Sequence, residues 1–410
     1  MVLTVRTRGL VLTEHTFRVP LDHARPEGER IDVFVREVAD PDGRERPFLL
    51  YLQGGPGHEA PRPTRHPSAP GWLDRALAEF RVLMLDQRGT GRSTPVDVPP
   101  GTPAEQAEYL AHFRADSIVA DAEWIRRELG VERWSVLGQS FGGFCVATYL
   151  SSAPEGLREA FLTGGVPAVG THPDEIYAAT YERILERNAR YYDRYPADRD
   201  RVRALAELLA EEDLRLPSGD RLTFRRLRQA GNLLGMSDGA ERLHYLLELP
   251  PTSRAFRHDV QAVMPFARNP LYAVVHEACD ADGHATRWAA ERVRPAAFDD
   301  DPTLLTGEHV FRWMFEDFGE LAPLREAAEL LADREWPRLY DPDRLRANDV
   351  PAAAAIYYDD PYVDSRFSLE TVALTRGLRP WLTDEYDHNA LRADGDRVLS
   401  RLIDLARGRA

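Results

Sequence analysis

One short stretch limits the possible folds more than any other: Trp134-Ser-Val-Leu-Gly-Gln-Ser140-Phe-Gly-Gly-Phe144. Residues 134–137 form an apolar run that suits a buried strand. Gly138-Gln-Ser140-Phe-Gly142 matches G-x-S-x-G, and the apolar run 144–150 continues as a helix. A chain that reverses from strand to helix within a few residues presses backbone against backbone, so side chains at 138 and 142 would collide. Ser140 then sits in a strained conformation with its hydroxyl exposed. It also lies at a helix N-terminus, where free N–H groups and the dipole favour a developing negative charge. The motif alone is weak. A strand before it and a helix after it are the context that turns it into a nucleophile elbow.

The flanking pattern supplies that context. Residues 10–20 and 31–38 alternate in strand fashion across a Pro/Gly/Asp-rich turn, as an antiparallel edge of a larger sheet would. Residues 47–52 and 80–85 are denser apolar runs, expected of strands covered on both faces. Residues 115–129 carry Ile118, Ala122, Ile125 and Leu129 at helical spacing, and 159–166 reads as a further strand. Alternating strands and helices predict an α/β fold with a mostly parallel central sheet flanked by helices.

From residue 173 to about 338 the pattern becomes helical and charge-rich, with aromatics at Tyr245, Phe256, Tyr272, Trp288, Phe311, Trp313 and Phe315. We read it as a helical cap inserted into the sheet domain: 1–170 the first part of that domain, 171–340 the cap, 341–410 the second part. A chain of 410 residues is too long for one compact core, which agrees. The sheet resumes at 351–358, whose alanines would also allow a helix, and at 378–383. Residues 396–406 form a terminal amphipathic helix.

A serine hydroxyl is a weak nucleophile until a base takes its proton, and the base is usually a His supported by a carboxylate. In α/β-hydrolases the partners follow in the order Ser, acid, His. His388, just past the last strand, is the expected base. Asp359, Asp360 and Asp364 follow the preceding strand. Counting from Pro351 and noting Pro361 favours Asp360 as the acid, with Asp359 second. The tetrahedral intermediate needs two N–H donors: the backbone of Phe141, and Gly54 or Gly55 in the loop Gln53-Gly-Gly-Pro-Gly57. Asp86-Gln-Arg-Gly-Thr-Gly-Arg-Ser93 lacks the lysine of a phosphate loop, and we expect Asp86 and Arg88 to pair structurally near the site.

Composition excludes other chemistries. All 52 basic residues are arginine, so Ser-Lys dyads and Schiff bases are ruled out. A net charge of -15 disfavours nucleic acid and anionic membranes as partners and suits a substrate with a free amino group. His276-Glu277 does not extend to H-E-x-x-H, because residue 280 is Asp. No metal or other cofactor is expected. Two cysteines, no basic and apolar leader and no run of 18 or more apolar residues point to a cytoplasmic setting.

Taken together, Gln53-Gly-Gly-Pro-Gly57, Asp86-Gln-Arg-Gly-Thr-Gly-Arg-Ser93 and Gly138-Gln-Ser-Phe-Gly-Gly143 resemble the proline iminopeptidase family of α/β-hydrolases. That family usually reads H-G-G-P-G in the first motif, so Gln53 is a departure, while the glycines remain. His276-Glu277 and Gly307-Glu308…Trp313-Met-Phe-Glu316 look similar to its longer-chain branch. The resemblance implies a serine aminopeptidase that removes N-terminal proline from peptides. A desolvated ammonium without a partner costs several kcal/mol, so the cap should supply carboxylates, with Glu277, Glu308 and Glu316 as candidates. The cap aromatics would line a pocket for the pyrrolidine ring. The competing reading keeps the triad but takes a small non-peptide substrate, as an esterase, lactonase or amidase does.

Overall fold

The computed structural model describes residues 3–65, 70–263 and 266–409. Nine strands form one sheet: β1 (Leu3–Thr7), β2 (Leu10–Pro20), β3 (Arg30–Ala39), β4 (Phe48–Leu52), β5 (Arg81–Leu85), β6 (Trp134–Gln139), β7 (Leu157–Thr163), β8 (Ala352–Tyr357) and β9 (Leu378–Thr383). Their spatial order is β1-β2-β3-β5-β4-β6-β7-β8-β9. The first three strands meander antiparallel, and β3 meets β5 antiparallel. From β5 to β9 every pairing is parallel.

The strand period of two sorts the core onto both faces. Leu50, Leu52, Val136, Leu162 and Ile356 point to one side, where they pack with the helices Ala115–Glu128 and Phe141–Ser152. Leu49, Tyr51, Leu137, Phe161 and Tyr357 point to the other, against Leu73–Glu79 and Gly395–Ala406. Parallel strands covered on both faces need continuous apolar runs, which is what β4, β5 and β6 carry. The ambiguous alanines of β8 resolve as a fully buried strand, where small side chains let the terminal helix pack close to the sheet.

Between β7 and β8 the chain leaves the sheet for a long helical excursion, opened by Pro173–Arg194 and Pro196–Glu211. Proline at the first turn of both helices fits, since that position has no intrahelical N–H bond to lose. The C-terminal ends of β4, β6, β8 and β9 share one edge of the sheet, as they must in a parallel array, and the loops leaving them carry every residue of the expected triad. No described helix is long and apolar enough to cross a membrane.

Candidate active site

Ser140 sits between β6 and the helix Phe141–Ser152 with φ 55° and ψ -125°, a region non-glycine residues rarely occupy. Such a conformation costs about 1–3 kcal/mol and persists only where the surroundings dictate it. Here they do. The Ser140 N–H donates to the Thr163 carbonyl at 3.0 Å. A Cβ at Gly142 would overlap the Leu52 carbonyl, and one at Gly165 would overlap the carbonyl of Ser140 itself. The elbow is therefore wedged between β4 and β7 by backbone contacts that only glycine allows.

The Ser140 hydroxyl lies 2.9 Å from Nε2 of His388. Nδ1 of the same ring lies 2.6 Å from Oδ2 of Asp360. With Asp360 accepting from Nδ1–H, Nε2 carries the lone pair and the serine hydroxyl donates to it. All three residues are buried. The second Asp360 oxygen accepts the backbone N–H groups of Tyr362 and Val363 at 2.9 and 3.2 Å, so the carboxylate is fixed from both ends. Burial works against a charged His388, but Asp360 and then Glu308 outweigh it and raise its pKa. The Tyr362 ring stands edge-on to the imidazole at 4.7 Å.

The two rival carboxylates are engaged elsewhere. Asp359 pairs with Arg190 at 2.5 Å; burial opposes its ionisation, but that hydrogen bond keeps it below the usual carboxylate range. Asp364 caps the helix Ser365–Leu374 and pairs with Arg183 at 2.9 Å.

The loop after β4 passes directly beside the serine. A Cβ on Gly54 would lie 2.8 Å from the Ser140 Cβ and 2.8 Å from the Gln139 carbonyl oxygen. Gly55, with φ 132°, lines the same pocket as Ser140 and Phe141, whose N–H opens the elbow helix. Gln53 turns its amide oxygen to the Tyr51 hydroxyl at 3.0 Å, and its carbonyl accepts from Gln87 at 3.0 Å. The unusual glutamine is therefore held through both its side chain and its backbone where the loop leaves β4.

The pocket over Ser140 is lined by Pro56, Phe144, Ile176, Tyr177, His276, Asp280, Glu308 and Tyr362, among others. Glu308 accepts from the Tyr272 hydroxyl at 2.7 Å and lies 3.9 Å from His276. Burial pushes its pKa up, but His276, His388 and the Tyr272 hydroxyl together outweigh this and lower it, so Glu308 is held ionised. Asp280 beside it is pushed up to about 7 by burial. His309 is pushed down to about 3, by burial and then by His276.

The other two glutamates stand apart. Glu277 spends both oxygens on the N–H groups of Ala289 and Ala290, at 3.2 and 2.9 Å, and does not line the pocket. Glu316 has a side chain 54% exposed and faces Arg325 at 3.8 Å on the surface. The expected aromatic lining also differs. Tyr245 is exposed, Phe256 is core, and the rings at the pocket wall are Phe141, Phe144, Tyr177 and Tyr362. Asp280, which enters the sequence argument only as the residue that breaks H-E-x-x-H, lines the pocket together with His276.

Residues 47–390 match the model of the alpha/beta hydrolase fold family. The chain is 49% identical to a proline iminopeptidase of Aeromonas sobria, with 97% of each chain covered. It is 32% identical to the proline iminopeptidase aneH of Aspergillus aculeatus, over 97% of this chain and 94% of that one. The chain belongs to the proline iminopeptidase family of α/β-hydrolases. A tripeptidyl aminopeptidase of Streptomyces coelicolor is 26% identical over 72% of this chain and 63% of its own.

In this member of the proline iminopeptidase family, the Asp86–Arg88 pair read from the sequence does not form. Asp86 takes both its oxygens to Arg62, at 2.9 and 3.1 Å, and accepts the Arg92 N–H. Arg88 is fully buried, turns toward the helix Ala115–Glu128, and grips Asp121 together with the carbonyls of Pro20, Leu21 and His112. Closeness in sequence misled: both residues lie beyond the end of β5, in a turn where no strand period sets the side chains, and each found its own partner.

Proposed function

We propose that the protein is a serine aminopeptidase that releases N-terminal proline from peptides through an acyl-enzyme on Ser140. The observation that carries this reading is the pairing of two features in one pocket: a Ser140–His388–Asp360 hydrogen-bond chain, and Glu308 held as a buried anion. His276 keeps this carboxylate ionised, and an anion that lines the pocket beside the nucleophile is the complement of a peptide's N-terminal ammonium. The likeness to proline iminopeptidases supports the choice of proline.

In this mechanism Ser140 Oγ attacks the prolyl carbonyl carbon while His388 Nε2 takes the hydroxyl proton. Asp360 holds the Nδ1–H and stabilises the imidazolium. The carbonyl oxygen, now negative, turns to the N–H of Phe141 and to that of Gly54 or Gly55, donors fixed in place before the charge develops. His388 hands the proton to the departing amine. A water then attacks the acyl carbon with His388 again as base, and free proline leaves. Glu308 and Asp280 hold the ammonium, while Phe144, Tyr177 and Tyr362 offer apolar surface to the ring. The helical excursion acts as a cap that limits the non-primed side to one residue. Two buried, unpaired cysteines support a reducing, cytoplasmic setting.

The test is hydrolysis of a chromogenic prolyl amide beside its N-acetylated twin, a tripeptidyl amide and a short-chain ester. Cleavage of the free prolyl amide alone is expected. Indifference to acetylation, or cleavage of the ester alone, would move the protein to esterase chemistry, and preference for the tripeptidyl amide would mean a longer non-primed site.

A further inference from the structure

The helix Pro173–Arg194 presents Arg183, Arg187 and Arg190, one turn apart, to the loops that leave β8 and β9. Two of these make ordinary pairs, with Asp364 and Asp359. Arg187 does something different. Its Nε and Nη2 donate to the Asp359 carbonyl at 3.2 and 2.9 Å, and Nη2 also meets Oδ1 of Asp387 at 2.7 Å. Asp359 directly precedes Asp360, and Asp387 directly precedes His388. One guanidinium therefore ties the residue before the acid to the residue before the base.

We propose that Arg187 is a positioning residue that sets the placement and the proton affinity of His388. This rests on the triad reading given above. A planar fork of donors fixes two acceptors at once, which an ammonium on a flexible stem does not. The loop bearing His388 takes its other holds from the same helical excursion. The His388 N–H donates to the Gly235 carbonyl at 3.1 Å, and Asn389 Oδ1 accepts from the Ser237 N–H and hydroxyl at 2.9 and 2.8 Å. The base is thus located by the insertion as much as by the sheet.

The electrostatics follow from who faces the ring. Asp360 and Asp387 come from the strand-end loops, Glu308 from the insertion, with the Ser140 hydroxyl and the Tyr362 ring completing the surround. Each carboxylate favours the imidazolium. Arg187 neutralises Asp387, so removing it leaves an uncompensated negative charge beside a base that works only when neutral.

The experiment compares Arg187→Gln, Asp387→Asn, the double variant and Arg187→Lys. Two profiles are read against pH: kcat/KM on the prolyl amide, and the rate at which a fluorophosphonate labels Ser140. Labelling needs the base but not peptide recognition, so a wrong substrate assignment leaves it readable. If the unaltered protein is not labelled at Ser140, the triad reading itself fails. For Arg187→Gln the acid limb should move up by roughly 0.5–1 in pH, making reaction below the midpoint about three- to tenfold slower. Asp387→Asn should move it down, and the double variant should return it near the original. Arg187→Lys should keep the midpoint and lower kcat. Unchanged profiles and unchanged kcat and KM in Arg187→Gln overturn the proposal. Should that variant fail to fold, Asp387→Asn decides alone, and a limb that does not move down overturns it.

Discussion

Asp359 and Asp360 share a peptide bond and serve opposite partners: Asp360 reaches inward to His388 at 2.6 Å, and Asp359 reaches outward to Arg190 at 2.5 Å. The contrast makes a clean experiment. Asp360→Asn should cost about 10⁴ in kcat, because an amide at that place favours the wrong imidazole tautomer. Asp359→Asn should leave kcat within about threefold and shift stability by no more than about 1 kcal/mol, since Arg190 is well exposed. Steady-state kinetics on the prolyl amide with thermal melts of both variants checks the pair. Equal losses would mean the wrong acid.

Ser140→Ala should remove roughly 10⁶ of the turnover and leave the fold intact. The backbone contacts that wedge the elbow do not involve the hydroxyl, and the hydroxyl's hydrogen bond goes to His388. The expected result is a melting temperature within a few degrees of the original together with loss of fluorophosphonate labelling. Substantial residual activity would refute Ser140 as the nucleophile.

What was legible in the sequence was local or periodic. The elbow, the buried strands and the order Ser, Asp, His are read off glycines, apolar runs and chain order, and the two flanking loops come with them. The preference for Asp360 over Asp359 rests on counting from Pro351 and on Pro361, both local features. What could not be read was pairing between distant segments. Glu277 and Glu308 look alike in sequence, yet one caps a short helix at Ala289–Arg292 and the other enters the pocket. Asp280 and Arg187 carry no motif at all. Their roles exist only once the helical excursion folds back over the strand ends.

The raised pKa of Asp280 predicts two pH effects with definite sign. Below about pH 7 its carboxyl is protonated and adds nothing to ammonium binding; above it, a second anion joins Glu308. KM for the prolyl amide should fall as pH rises through about 7, until the substrate amine loses its own proton near about 8. Stability should run the other way. The folded state holds this proton while the unfolded chain releases it near 3.8, so stability falls as pH rises from about 4 to about 7 and then levels. In Asp280→Asn the KM step should vanish, and the melting temperature should exceed the original by a margin that grows across that window. A KM step that survives the substitution would mean another group is titrating.

Glu308→Gln and Glu316→Gln separate the pocket from the surface. Both glutamates came from the same stretch of sequence, but Glu308 lines the pocket and Glu316 lies on the surface. A hydrogen bond to a charged group contributes about 1.5–3 kcal/mol, so Glu308→Gln should lose roughly 10- to 150-fold in kcat/KM on the free prolyl amide. Glu316→Gln should change nothing measurable. One confounding effect has a known direction. Glu308 also raises the pKa of His388, so its loss moves the acid limb down and, at low pH, partly masks the loss of binding. The comparison therefore belongs on the pH plateau above that limb, with fluorophosphonate labelling as the internal standard. Labelling should stay near the original rate while amide hydrolysis falls. If both fall together, Glu308 serves the base and not the substrate, and the ammonium must be held by Asp280 alone.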